Sequence, residues 1–175
     1  ISDTIHYTCI AADCGNQPRT DDGTRALFTA CYENLVHCEW SVTGDATSQY
    51  NCIAYSVGLD DIWIDDIERK PRPGKISIDK KYGDNNGTMS IAELDSFYAD
   101  YGYSPTGTGP ADADVMFYSE FHAARRMEDC SCGSGRWLMF ESKCGRYKRI
   151  EHVSSQLNGG LYGIPERFYK KNSPE

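Results

Sequence analysis

The chain has 175 residues, a net charge of -8 and eight cysteines. That balance argues against a phosphate-backbone binder, which needs a basic face. No run of about 18 apolar residues is present, so no membrane span is expected. The length suffices for one domain with a core of its own, so eight cysteines exceed what packing requires. Without a CxxC…CxxC or HExxH spacing to hold a metal, they read as the oxidised pairs of a secreted protein. The first residues, ISDTIHYTC, carry neither an initiator Met nor a basic and apolar leader, as expected of a mature extracellular product. Asn86-Gly87-Thr88 is an Asn-x-Thr acceptor, so a glycoprotein is expected if a eukaryote makes it.

In chain order, residues 1–21 read as an irregular arm, broken by Gly15, Asn16 and Pro18 and tied down by Cys9 and Cys14. From Thr24 to Cys38 apolar residues recur at helical spacing, with Asp22 as N-cap. Cys31 and Cys38 share one face of that helix and reach the arm better than each other. The turn 43–48 leads into 51-NCIAYSVG-58, a short helix capped by Ser48 or Asn51 and ended by Gly58. The stretch 59–75 reads as a loop with an aromatic plug, ended by Pro71 and Pro73. Its pairs Asp60-Asp61 and Asp65-Asp66 read as solvated, with calcium as the minor alternative. The stretch 82-YGDNNGTMSIAE-93 imitates an EF-hand, with Asp84, Asn86, Gly87 and Glu93 in place but Tyr82 where a carboxylate is needed. The bland account suffices: Asn86-Gly87 is a turn, and Ser90-x-x-Glu93 is a capping box opening a helix Ile91–Tyr101.

The second half reads as β. Val115–Tyr118, continuing through Phe121–Ala123, and Trp137–Phe140 are strand runs around a hairpin tip at 128–136. Tyr147–Val153 is expected to pair, and Leu161–Tyr169 to close the sheet. Segregated helices and strands make the class α+β.

A thiol at a helix N-terminus is biased toward thiolate. A strand histidine can accept its proton, and a third polar group can fix the imidazole tautomer. A hairpin centred near Ser131-Cys132 puts His122 opposite Glu141 or Ser142, depending on one step of register. Cys52, His122 and Glu141 or Ser142 are therefore the expected triad. Gln49 or Asn51, with the Cys52 amide, would form the oxyanion hole. His152 is the rival base; His6 and His37 read as surface or arm residues. No cofactor and no metal is expected. Counting cysteines offers the competing role for Cys52, a disulfide half. If Cys52 is instead a thiol, Cys144 is the candidate second unpaired cysteine.

This layout resembles the papain-like superfamily in its small microbial form, the NlpC/P60 and CHAP-type cysteine hydrolases. More closely, 51-NCIAYSVG-58, 122-HAAR-125, 137-WLMFESKCG-145, 150-IEH-152 and 161-LYG-163 resemble an uncharacterised bacterial domain family of that shape. Its segments read Asn-Cys-Ile-Ala, His-Ala-Ala-Arg, Trp-x-Ser-Lys-x-Gly, Ile-x-His and Tyr-Gly. The likeness covers residues 49–170. It implies a papain-like α+β fold of helix plus antiparallel sheet over 46–175. A disulfide-tied, Cys-rich arm and helix over 1–45 would pack on that core. The implied activity is that of a monomeric, secreted cysteine peptidase or amidase cleaving a peptide or peptidoglycan-type bond. The second function class is a non-catalytic binding protein or toxin on the same scaffold, with Cys52 bridged.

Overall fold

The computed structural model describes residues 40–70, 73–127, 130–132 and 135–174. The arm at 1–21, the helix expected over 24–38 and their four cysteines lie outside these residues. Eleven strands are described: β1 (Trp40–Gly44), β2 (Trp63–Asp65), β3 (Lys75–Ser77), β4 (Tyr103–Thr106), β5 (Val115–Tyr118), β6 (His122–Arg126), β7 (Cys130–Cys132), β8 (Gly135–Trp137), β9 (Met139–Lys143), β10 (Arg149–Val153) and β11 (Pro165–Lys171). Three short helices accompany them: α1 (Cys52–Ser56), α2 (Ile78–Tyr82) and α3 (Ile91–Asp100). Seven strands form one sheet in the order β1-β10-β9-β6-β5-β11-β4. Every adjacent pair in it is antiparallel.

This corrects the expected papain-like α+β architecture. The sheet dominates, and the helix that opens at Cys52 is five residues long. Gly58, at φ 87°, turns the chain away after Val57, so no long helix can carry Cys52 along the sheet. Neither Cys52 nor Cys144 is a disulfide half: both are thiols. Nor is 59–75 a plain loop, because β2 lies parallel to β3 with Ile64 opposite Ile76. β11 sits between β5 and β4 rather than closing an edge.

Both faces of the sheet are covered, which is why β9 is buried at every position. Registered partners share a face, and the register sorts the residues into two cores. Val115, Phe117 and Ala123 join Cys52, Ile53, Ala54, Leu94, Phe97 and Tyr98 on the first face. Met116, Tyr118, Ala124, Phe140 and Ile150 join Trp40 and Leu157 on the second. On the first face, α3 begins with the expected capping box between Ser90 and Glu93. Its Tyr98 stacks on Tyr169 of β11, with ring centroids 4.0 Å apart. Leu94, Phe97 and Tyr98 are fully buried, which stabilises the α3–sheet contact by roughly 1.5–3 kcal/mol per side chain. Among the described residues no helix is long and apolar enough to cross a membrane.

The EF-like stretch becomes a closed turn. Asp79, fully buried in α2, accepts the backbone N–H groups of Asn86 (3.2 Å) and Gly87 (2.7 Å). Asp79, Asp84 and Glu93 bring three carboxylate oxygens within 4.8 Å of one another. Asp79 holds the turn and Glu93 completes the α3 cap, so both carboxylates already serve the fold. The aspartates of 59–75 diverge: Asp65 accepts from the Trp63 indole and approaches Lys75, while Asp66 pairs with Arg69.

Candidate functional site

Asn51 caps α1 by accepting the Ala54 N–H at 3.2 Å. The same side chain exchanges hydrogen bonds with the Ile64 backbone, donating to its carbonyl (2.6 Å) and accepting from its N–H (3.3 Å). Its amide therefore behaves as a piece of backbone joining α1 to β2. That employment explains its burial and takes it away from the oxyanion role. Gln49 is exposed, on the rim of a cleft with Trp63 and Lys75.

Cys52 is buried at the start of α1. Its Sγ lies 4.0 Å from the Phe121 carbonyl and takes a hydrogen bond from the Ala123 backbone. Burial pushes the thiol up to about 11 despite that bond and the charge of Lys143. A five-residue helix offers little dipole to oppose desolvation. Around Cys52 on the first face runs a net of charges and rings. The Tyr55 hydroxyl donates to Glu141, and the Arg149 Nε sits 3.3 Å from the other Glu141 oxygen. The guanidinium groups of Arg149 and Arg125 lie over the Tyr55 ring at 4.9 and 5.5 Å. Lys143, fully buried, donates to the carbonyls of Thr47 (2.8 Å) and Gly145 (2.6 Å). Burial lowers its pKa.

The histidines are elsewhere. His122 pairs in register with Tyr118, a residue of the second core, so its ring points away from the face that carries Cys52. The hairpin register differs from the expected one by three residues counted from Glu141 and by two counted from Ser142. Arg125, not His122, stands opposite Glu141, and Arg126 opposite Phe140. A shift of two preserves the face, so Ser142 stays on His122's side while Glu141 goes to Tyr55. The Ser142 Oγ is 3.0 Å from His122 Nε2 and 2.8 Å from His152 Nε2. His152 Nδ1 is 2.9 Å from the Val153 carbonyl. Tyr162 stacks on His122 with centroids 3.6 Å apart and planes within 2°. All three polar groups are fully buried. Desolvation, with the neighbouring His152, drives the His122 pKa well below its ordinary value, and desolvation lowers that of His152 to about 4.

The expected triad is thus divided by the sheet. The structure joins His122 to Ser142, joins Glu141 to Tyr55, and leaves Cys52 on the opposite face from His122. His152, weighed as a rival base, is instead the far end of the Ser142 contact. Tyr162 and Tyr118 complete the second-face cluster and lie outside the triad expected from sequence. The quoted motifs held a signal for Tyr162, since His-Ala-Ala-Arg, Glu-Ser-Lys, Ile-Glu-His and Leu-Tyr-Gly all converge on this one buried cluster.

These features define the class: an antiparallel-sheet domain with a thiol under one face and a His–Ser–His contact under the other. The chain belongs to a family described as a domain of unknown function, DUF7689, whose model matches residues 41–170. No curated protein and no solved structure matches it.

Proposed function

We propose that this domain is a non-catalytic binding module in which Cys52 is a core thiol. The reading is carried by one observation: both described histidines lie on the face away from Cys52. A cysteine hydrolase needs a base within hydrogen-bond reach of the sulfur, and its imidazole would have to cross the sheet. The raised thiol pKa supports the same reading.

The binding surface proposed is a shallow groove of about 320 Å³ beside the β5–β6 turn. Its apolar lining includes Ile67, Met89, Ile91, Phe117 and Phe121. Its charged residues, Asp66 and Glu166, are both acidic, and Asp66 is already paired with Arg69. Ile91 is 43% exposed there, more than a core residue would be. A short peptide segment with apolar and basic side chains fits that lining, and the net charge of -8 favours its approach. An extracellular setting belongs to the proposal through the cysteine count alone.

Three measurements test it. Iodoacetamide should label native Cys52 on the order of 100-fold more slowly at neutral pH than an ordinary thiol, as its thiolate fraction dictates. Titration with Lys- and Arg-containing apolar peptides should shift NMR signals of Met89, Ile91 and Phe121 and be weakened by Glu166→Lys. Amide turnover by the folded protein that disappears in Cys52→Ala would sink the proposal in favour of the hydrolase.

A further inference from the structure

The His122–Ser142–His152 contact has a direction, set by one atom that can only accept. The Val153 carbonyl is the partner of His152 Nδ1, so that nitrogen carries a proton. Neutral His152 then has a bare Nε2, which accepts from the Ser142 hydroxyl at 2.8 Å. Having given its proton there, the Ser142 Oγ accepts from His122 Nε2 at 3.0 Å. His122 is therefore the Nε2–H tautomer. Turning its ring over would put a carbon against Ser142, so the same bond fixes the position of Nδ1.

His122 Nδ1 is left as a bare acceptor. It is buried and has no hydrogen-bond partner among the described residues. The same holds for the Tyr118 hydroxyl, which has a proton to donate. These two side chains are registered neighbours on β5 and β6, on one face, with ring centroids 5.2 Å apart. Buried polar groups are seldom left unpaired, and here one surplus donor stands beside one surplus acceptor. Nothing charged is called for: Ser142, Tyr118 and both imidazoles are satisfied as neutral groups.

We infer that Tyr118 and His122 bind one buried water molecule, which accepts from the Tyr118 hydroxyl and donates to His122 Nδ1. The water completes a polar file across four neighbouring strands, β5, β6, β9 and β10. Every proton in it points toward the Val153 carbonyl. The file is a rung set across the strands, and it accounts for Tyr118, His122, Ser142 and His152 together. It is independent of the binding reading above.

Nitrogen-15 spectra of the histidine rings in the folded protein at neutral pH test it directly. His122 should show a protonated Nε2 and a bare Nδ1, and His152 the reverse. Cross-relaxation from a long-lived water should reach the Tyr118 hydroxyl proton and the His122 ring. In Tyr118→Phe the water signal should be lost and the His122 Nδ1 resonance should move while its tautomer stays. A protonated Nδ1 on His122, or the absence of water cross-relaxation in the unsubstituted protein, overturns the inference. Both readouts stand even if the variant does not fold.

Discussion

The two faces of the sheet handle buried polarity in opposite ways. On the first face Tyr55, Glu141, Arg149 and Tyr50 form a net whose members have two or more partners each, with Arg125 joined to it through the Tyr55 ring. Most of them retain some solvent access. On the second face His122, Ser142 and His152 form a single file, fully buried. A net loses one partner and re-forms around the rest, or lets water in. A file has no substitute, and any break leaves two buried groups unpaired. The faces should therefore differ in how steeply stability responds to damage.

The largest response is expected from acid. Both histidines are neutral in the folded state, with pKa values lowered from the ordinary value of about 6.5. The unfolded chain binds the extra protons, so their contribution is complete above about pH 6.5 and is lost as pH falls toward about 4. His152 alone accounts for about 3 kcal/mol over that window, and His122 acts in the same direction. Urea unfolding between pH 7 and 4 should show the fall, and His152→Gln should flatten it. An unchanged slope in that variant would mean that the file is not what titrates.

Next comes Ser142→Ala. It strands an acceptor on His152 and a donor on His122, at about 2–4 kcal/mol for the pair. The measurement is the urea midpoint at neutral pH. A loss below about 1 kcal/mol would show that the file is as tolerant as the net.

On the first face the effects should be smaller. Tyr55→Phe removes one hydrogen bond to a Glu141 that keeps Arg149, at about 1 kcal/mol. Cys52→Ala removes one buried sulfur with a weak contact to the Phe121 carbonyl, at about 1 kcal/mol. Either variant falling as far as Ser142→Ala would erase the contrast between the faces.

Local chemistry was legible in the chain. The Ser90–Glu93 box, the Asn86-Gly87 turn, the Asn51 cap and the strands around 115–118 and 149–153 follow from short-range rules. Residues within a few positions of one another satisfy them. Sequence order suggests a Cys52–His122 pairing but does not say which way a strand side chain points. His122 and Ala123 face opposite cores through one step of the pleat. The hairpin centre, misplaced by between one and one and a half residues, moved the β9 partners of β6 by two counted from Ser142 and by three counted from Glu141. Glu141 or Ser142 could not be chosen without that register. Ser142 follows once it is known, because an even shift keeps the face.

The sequence by itself determined that this chain would be half strand-rich, cysteine-rich and acidic. It also determined that a short helix would open near Cys52 under a cap from Ser48 or Asn51, of which the structure uses Asn51. These are properties of composition and of contacts a few residues long. Only the tertiary structure decided that the thiol and the imidazole stand on opposite sides of a seven-stranded sheet. Side-chain direction alternates at every residue of a strand, so whether two distant residues meet depends on registers summed over the whole sheet.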